Sequence, residues 1–192
     1  HNAGTANTSG ASNTGVGSAV LAANTTGTSN SAVGSLALDA NTTGFQNTAV
    51  GYLSMSANTT ASNNTSLGYN SLGLNTTGTQ NTAVGSQSLL NNTTGQSNTA
   101  VGYQAAKSIT TGSYNTVIGE LALLDNTTGQ ANTALGRAAL FDNTEGNNNT
   151  SVGYNSLLLN TTGSFNVAVG ASALDANVTS SSNTAIGYNS LT

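Results

Sequence analysis

The segment Asn81-Thr82-Ala83-Val84-Gly85 decides the fold, because close copies of it return along the chain at one fixed interval. Its glycine recurs every seventeen residues without an insertion, at Gly17, Gly34, Gly51, Gly68, Gly85, Gly102, Gly119, Gly136, Gly153, Gly170 and Gly187. A fixed period of this size is typical of solenoids, in which each repeat is one structural unit stacked on the next. The sequence therefore predicts a single repeat array over residues 1–192.

Each copy contains two short segments rich in β-branched or aliphatic residues, and Asn and Gly bound both of them. Such boundaries indicate strands. A helix is disfavoured, because each Gly in a helix interior costs about 1 kcal/mol relative to Ala. The predicted fold is an all-β parallel β-solenoid, or β-roll, with two strands and seventeen residues per coil and about eleven coils. Strands spaced about 4.7–4.9 Å apart would make a rod about 50 Å long.

Two aliphatic columns are predicted to face each other inside the coil. The pre-glycine column consists of Val16, Val33, Val50, Leu67, Val84, Val101, Ile118, Leu135, Val152, Val169 and Ile186. The leucine column, four residues after the glycine, consists of Leu21, Leu38, Met55, Leu72, Leu89, Ala106, Leu123, Leu140, Leu157, Leu174 and Leu191. Only Ala106 is short, and Ile109 of the same coil is expected to fill the lost volume. Small residues take the sites between the columns, as a thin coil requires: Ala83, Ala100, Ala134, Ser71, Ala105 and Ala122.

Two asparagine columns mark the corners of the coil. The first stands four residues before each glycine and includes Asn47, Asn64, Asn81, Asn98, Asn115 and Asn132. The second precedes Thr-Thr-Gly in most copies and includes Asn24, Asn41, Asn58, Asn75, Asn92, Asn126, Asn143, Asn160 and Asn177. Asn tolerates the left-handed region, and its amide can bond to the equivalent amide of a neighbouring coil. We expect both columns to be structural ladders.

One variable column directly follows the glycine. This post-glycine column consists of Ser18, Ser35, Tyr52, Tyr69, Ser86, Tyr103, Glu120, Arg137, Tyr154, Ala171 and Tyr188, and its charges predict that it is exposed. We expect Glu120 to pair with Arg137 across adjacent coils, and Tyr154 to make a cation–π contact with Arg137. These contacts could simply stabilise the ladder. Alternatively, a surface-binding stripe on which glycans stack would comprise Tyr52, Tyr69, Tyr103, Arg137, Tyr154 and Tyr188.

The run Thr-Thr-Gly-x-x-Asn-Thr-Ala-Val-Gly-x-x-Ala/Ser-Leu, as at 77–89 and 94–106, resembles the YadA-like head repeats of trimeric autotransporter adhesins. It is also similar to repeats that precede self-cleaving chaperone domains in phage tail fibres. The resemblance implies a left-handed β-roll, three chains wound about one axis, and a role as the head or shaft of a surface fibre. The family offers no catalytic residue. The thin core independently favours a homo-oligomer, because one Val and one Leu per coil bury little surface for seventeen ordered residues.

Composition argues against several classes of function. The formal net charge is −4 and no basic face is available to neutralise phosphates, so nucleic acid is not an expected partner. No apolar run approaches the roughly 20 residues of a membrane span. The only histidine is His1, and neither Gly-x-Gly-x-x-Gly nor an Asp-rich calcium loop occurs, so we expect no enzyme, cofactor or metal site.

A nearly uncharged Asn/Thr/Gly surface favours an extracellular location: cell surface, virion fibre or secreted. The expected partners are self and a host-surface glycan or matrix protein.

The threonines admit another interpretation. Regularly spaced Thr on a flat solenoid face could order water and bind ice, and the Thr columns are Thr48, Thr65, Thr82 and Thr99, and Thr25, Thr42, Thr76 and Thr93. Adjacent Thr-Thr pairs alternate faces, however, which disfavours a two-file array. Asn-Thr-Thr is also a glycosylation sequon, which matters only in a eukaryotic secretory pathway.

The chain ends carry no atypical capping sequence. The pattern is already present at Asn7, Thr8 and Gly10, and the chain stops at Thr192, just after the leucine column of the last copy. Terminal repeats of stable solenoids usually need a polar cap. These features favour a segment cut from a longer shaft over a subunit that stacks end to end.

Overall fold

The computed structural model describes residues 3–191 as one stack of coils without a helix. His1, Asn2 and Thr192 lie outside the described residues. Eleven parallel strands form one sheet, and each strand pairs with the next in chain order. The strands are β1 (Thr14–Val16), β2 (Ser31–Val33), β3 (Thr48–Val50), β4 (Thr65–Leu67), β5 (Thr82–Val84), β6 (Thr99–Val101), β7 (Thr116–Ile118), β8 (Thr133–Leu135), β9 (Thr150–Val152), β10 (Val167–Val169) and β11 (Thr184–Ile186).

The strand register follows the sequence period. Ala83 of β5 pairs with Ala100 of β6, and every other pair in the sheet joins residues that are also seventeen apart. Each side chain therefore stacks on its counterpart in the neighbouring coils. The predicted parallel β-solenoid with seventeen residues per coil is confirmed, with about ten full turns carrying the eleven strands.

Each coil contains one strand, so the prediction of two strands per coil is wrong. The segment after the glycine forms a series of turns that still bond to the next coil, as from Leu89 N to Ala105 O at 3.0 Å and from Asn91 N to Lys107 O at 3.0 Å. This segment is not extended because residues two and four after the glycine adopt left-handed backbone angles, such as φ 58° at Gln87 and φ 50° at Leu89. The left-handed residues fold this side of the coil into a compact wall.

Left-handed backbone also occurs at the corner before the first asparagine column, but the asparagines themselves do not adopt it. The residue before the asparagine does, with φ 61° at Gln80 and φ 56° at Ser97. The prediction that these asparagines supply left-handed corners is therefore wrong. A left-handed conformation costs a non-glycine residue roughly 1–2 kcal/mol. Interactions with neighbouring coils must offset that cost at each corner.

The leucine column forms the centre of the core, as predicted. Leu38, Met55, Leu72, Leu89 and Leu123 are fully buried. The small residues between the columns are also buried, which confirms that the coil interior is thin: Ala83, Ala100, Ala134, Ser71, Ala105 and Ala122. The core is thus mainly one row of leucines packed against a row of small residues, with Val117 of β7 as the larger member of that second row.

The pre-glycine column faces outward, so the prediction that it forms an inner wall is wrong. Val33 is 41% exposed, Leu67 47% and Ile118 45%, and the other members are exposed or half-buried. Side chains alternate between the two faces of a strand, so a three-residue strand turns either its middle residue or its two ends inward. The middle residue, Ala83 in β5, lies inside because little room remains opposite the leucine column.

The first asparagine column is a buried hydrogen-bonded ladder. Asn81 N donates to Asn64 Oδ1 at 2.8 Å, and Asn81 Nδ2 donates to Gly95 O at 2.9 Å. The amide oxygen thus bonds the backbone of the next coil, in addition to any amide-to-amide bonds. The predicted ladder of Asn47, Asn64, Asn81, Asn98, Asn115 and Asn132 is confirmed, and all six are buried.

The second asparagine column forms an amide-to-amide ladder with one interruption. Asn92 Nδ2 donates to Asn75 Oδ1 at 2.9 Å, but Ile109 occupies the next position. Asn92 Oδ1 is consequently buried with no hydrogen-bond partner among residues 3–191. Ile109 and Ala106 are both fully buried and belong to the same core cluster. This arrangement agrees with the expectation that Ile109 compensates for Ala106.

The repeated glycines are required by the stacking itself. Gly85 has φ 130°, and a Cβ atom there would clash with the carbonyl oxygen of Gly102 in the next coil. Any other residue would therefore force adjacent coils apart at this corner.

Candidate binding surfaces

Two outward surfaces run along the rod. The sheet face consists of the residues that begin the strands, which are threonines in all strands except β2 and β10, and of the pre-glycine column that ends them. Both sets project away from the buried middle residue. The turn face consists of the outward side chains in the six residues after each glycine, and it includes the post-glycine column. Every residue of the predicted surface-binding stripe lies on the turn face.

The post-glycine column is exposed, as predicted, and its tyrosines are the largest side chains in it. Tyr52, Tyr69, Tyr103 and Tyr154 are each about half exposed, at 49–52%, and Tyr188 is 82% exposed. Tyr52 and Tyr69 lie in adjacent coils and stack, with ring centroids 6.0 Å apart and an interplanar angle of 23°. This pair offers a paired aromatic surface of the kind on which a sugar ring could rest.

The charged part of the column forms the predicted contacts. Arg137 Nε lies 3.5 Å from Glu120 Oε2, and both side chains are about half exposed. The Arg137 guanidinium lies 5.6 Å from the centroid of the Tyr154 ring, and its Nη1 donates to the Tyr154 hydroxyl at 3.5 Å. An exposed ion pair contributes about 0–1 kcal/mol, so these contacts order the side chains more than they stabilise the fold.

The residues of the predicted surface-binding stripe do not form one continuous surface. Ser86 separates Tyr69 from Tyr103, and Ala171 separates Tyr154 from Tyr188. The stripe is therefore two small groups, Tyr52–Tyr69 and Glu120–Arg137–Tyr154, with Tyr103 and Tyr188 outside both.

The two threonine columns have different environments. In the column of Thr25, Thr42, Thr76 and Thr93, the hydroxyl is used inside the ladder, since Thr93 Oγ1 donates to Thr110 O at 3.0 Å. In the column of Thr48, Thr65, Thr82 and Thr99, the side chain lies on the sheet face beside the pre-glycine column. The threonines and the aliphatic residues of the pre-glycine column thus form two parallel files on one face. The alternation of adjacent Thr-Thr pairs did not predict this array, because its second file is aliphatic.

The Asn-Thr-Thr sequons are not accessible in the folded chain. Their asparagines belong to the second asparagine column and are 0–1% exposed: Asn24, Asn41, Asn58, Asn75, Asn92, Asn126 and Asn160. The amide nitrogen of Asn75 already donates to Asn58 Oδ1 at 3.1 Å and to Gly78 O at 2.9 Å. A glycan at these positions would displace the ladder.

A groove on the turn face was missed by the sequence reasoning. It has a volume of about 270 Å³ and is lined by Leu121, Arg137, Ala138, Phe141, Asp142, Leu158 and Leu159. Burial, followed by the nearby Asp125 carboxylate, raises the pKa of Asp142 above its ordinary value. The available signal was that Leu124, Phe141 and Leu158 replace the smaller residues found five positions after the glycine in the first four coils.

Neither a metal cluster nor a membrane span is found in the described part of the chain. Residues 3–191 contain no group of three or more His, Cys, Asp or Glu side chains placed to hold a metal ion. No helix in that range has the length and apolar character needed to cross a bilayer.

Comparison of the chain with protein-family models, with curated proteins and with solved structures found no match. The functional proposal therefore rests on the geometry of the sheet face and the turn face.

Proposed function

We propose that the chain is a structural and adhesive segment of an extracellular fibre, in which three copies pack side by side through their sheet faces. The observation that supports this proposal is the outward pre-glycine column, which places an aliphatic side chain on all eleven strands. A continuous apolar stripe of this length is unusual on a monomer and is typical of an interaction surface. The resemblance to trimeric adhesin heads and tail-fibre shafts favours three chains and a left-handed coil.

The assembled fibre would present the turn face to its surroundings. Packing through the sheet face buries the pre-glycine column and leaves the post-glycine column exposed. The stacked Tyr52–Tyr69 pair and the Arg137–Tyr154 pair are then available to a host-surface glycan or a matrix protein. Aromatic side chains suit both partners, since they provide a large contact area at low entropic cost.

Mass measurement tests the assembly. Sedimentation equilibrium at micromolar concentration should give three chains of 18.9 kDa each. Replacing Val84, Val101 and Ile118 with Thr keeps β-branched side chains but removes the apolar stripe, and should shift the mass towards the monomer. Replacing Tyr52, Tyr69 and Tyr103 with Ser, which occurs naturally in that column, is the matched control and should leave the mass unchanged. A folded wild-type monomer would contradict the proposal.

Glycan binding tests the adhesive role. Binding to a glycan array should be lost when Tyr52 and Tyr69 are replaced with Ser, and retained when Val84 is replaced with Thr. Glycan binding that is insensitive to the tyrosines would remove the proposed site, and absence of binding to any glycan would leave a matrix protein as the partner.

Ice binding is the second candidate, and the two-file array on the sheet face favours it. Thr82 and Val84 lie on the same face about 6.5 Å apart along the strand, and coils repeat about every 4.8 Å, which makes a regular flat lattice. Thermal hysteresis of the purified chain discriminates between the candidates. Clear activity that is lost when Thr82 and Thr99 are replaced with Lys would replace the adhesive proposal with this one.

A further inference from the structure

The few charged residues of this rod are concentrated in one part of it. The chain has eight charged residues (2 basic and 6 acidic), and six of them lie between Lys107 and Glu145. Only Asp39 and Asp175 lie elsewhere. The same part of the rod also departs from the small residues of the early coils. The fifth position after the glycine is occupied there by Leu124, Phe141 and Leu158, whereas the first four coils have Ala22, Asp39, Ser56 and Gly73.

The groove of about 270 Å³ lies in this region and has apolar walls. Leu121, Phe141 and Leu158 line it from three successive coils, and Leu159, at its edge, is 43% exposed. Small-molecule sites usually have volumes of about 300–1,000 Å³. The groove is therefore the right size for one or two side chains.

The unpaired charge at the groove is negative. Arg137 lines the groove, but its guanidinium contacts Glu120 at 3.5 Å and the Tyr154 ring. Asp142 also lines the groove, and Asp125 occupies the equivalent position one coil earlier. Among residues 3–191, the Arg137–Glu120 contact is the one salt bridge, so neither aspartate is neutralised by Lys107 or Arg137. Two adjacent carboxylates beside an apolar groove are complementary to a cation on an aliphatic stem.

We propose that this groove binds a lysine or arginine side chain, together with an adjacent apolar side chain, of a protein partner. The aliphatic stem would pack on Phe141 and Leu158 while the charged end meets Asp142 and Asp125. A second copy of this chain is a poor occupant, because its only cationic side chains are Lys107 and Arg137 and the latter is already paired. An acidic glycan is disfavoured by the two carboxylates.

This inference goes beyond the proposed fibre function and does not depend on it. The groove is on the turn face, so it stays open whether or not the sheet faces pack together. Mass measurement therefore tests the assembly, and peptide binding tests the groove.

The test is a titration of the ¹⁵N-labelled full chain with the peptide acetyl-Lys-Leu-Lys-amide, followed by NMR. We expect saturable shifts centred on Leu121, Phe141 and Leu158. The Asp125→Asn, Asp142→Asn double variant should bind at least about tenfold more weakly. The matched control, Asp39→Asn with Asp175→Asn, removes the same number of charges outside the groove and should bind within about twofold of wild type. Thermal melting monitors the fold of each variant.

Several results would overturn the inference. Absence of saturable shifts at the groove would do so, as would equal binding of acetyl-Glu-Leu-Glu-amide, because the carboxylates would then have no role. Equal weakening in both double variants would show that only net charge matters. Tighter binding of glucosamine than of the peptide at the same residues would assign the groove to an amino sugar instead.

Discussion

The leucine column and the pre-glycine column are both files of aliphatic side chains that run the length of the rod. The leucine column points into the coil, whereas the pre-glycine column points away from it. Leu89 is fully buried, whereas Val84 in the same repeat is partly exposed on the sheet face. Hydrophobicity alone does not distinguish them. The difference arises because only the middle residue of each three-residue strand faces the interior, where the leucine column is also buried.

The two aliphatic columns differ in what can bury them. A column that is buried within each chain stabilises the coil, while a column that is exposed along the whole sheet can only be buried by something outside the chain. The thin core and the outer stripe are therefore two aspects of one arrangement, in which aliphatic side chains are divided between the interior and the outer surface of the rod.

The largest effect should come from placing a charge in the inner column. Leu89→Asp buries an unpaired carboxylate and should lower the free energy of unfolding by more than about 4 kcal/mol. Val84→Asp places the same group on the partly exposed sheet face and should cost about 1 kcal/mol, although it should disrupt association. Urea unfolding followed by circular dichroism measures both. Equal losses in two monomeric variants would contradict the distinction between the columns.

A leucine scan within one strand should sharpen the comparison. Ala83→Leu overfills the interior and should cost about 3 kcal/mol. Val84→Leu should be nearly neutral, because Leu67 and Leu135 already occupy that column. Thermal melting of the two variants provides the measurement. A neutral Ala83→Leu would show that the interior has more room than the structure allows.

In one coil the leucine column contains Ala106 instead of a leucine, and Ile109 replaces the usual asparagine. A double-mutant cycle tests whether these two residues compensate each other. Ala106→Leu alone should overpack against Ile109, and Ile109→Asn alone should leave a cavity beside Ala106. The double variant restores the usual pair and gives Asn92 Oδ1 a hydrogen-bond partner. We expect a favourable coupling of about 1–2 kcal/mol, read from urea unfolding of the four proteins. Additive effects would mean that the two residues do not compensate each other.

The smallest effect concerns the groove on the outer surface. Burial, followed by the Asp125 charge, raises the pKa of Asp142 above its ordinary 3.8, so the folded chain holds that proton more tightly than the unfolded chain. The resulting stabilisation is fully present below about pH 3.8 and is lost as the pH rises through the raised pKa of the folded state. Stability should therefore fall with rising pH in that range.

Asp142→Asn should remove this part of the pH dependence, and Asp125→Asn should reduce it. Burial also raises the pKa of Asp39, which predicts a change of the same sign at a site distant from the groove. Urea unfolding between pH 3 and pH 6 measures these slopes. A wild-type slope of opposite sign, or an unchanged slope in Asp142→Asn, would contradict the assignment.

Much of the candidate surface could be predicted because exposure follows from charge and from the period. Glu120, Arg137 and Tyr154 stand one repeat apart, so stacking brings them together whatever the shape of the coil. The groove around Phe141 was not predictable in the same way. Its walls are formed by residues at different positions of three coils, and only the turn geometry shows that they share one face.

The sequence by itself determined the period, the parallel stacking, the buried leucine column and the asparagine ladders, because each of these depends on identical residues recurring at one interval. Only the tertiary structure decided which strand residue faces inward, because alternation along Thr82-Ala83-Val84 permits either the middle residue or the two ends to be buried. The middle residue packs inside the coil with the leucine column, and it is glycine, alanine or serine in ten strands and Val117 in β7. Burial of the middle residue places the pre-glycine column on the outside of the rod, because side chains alternate along a strand.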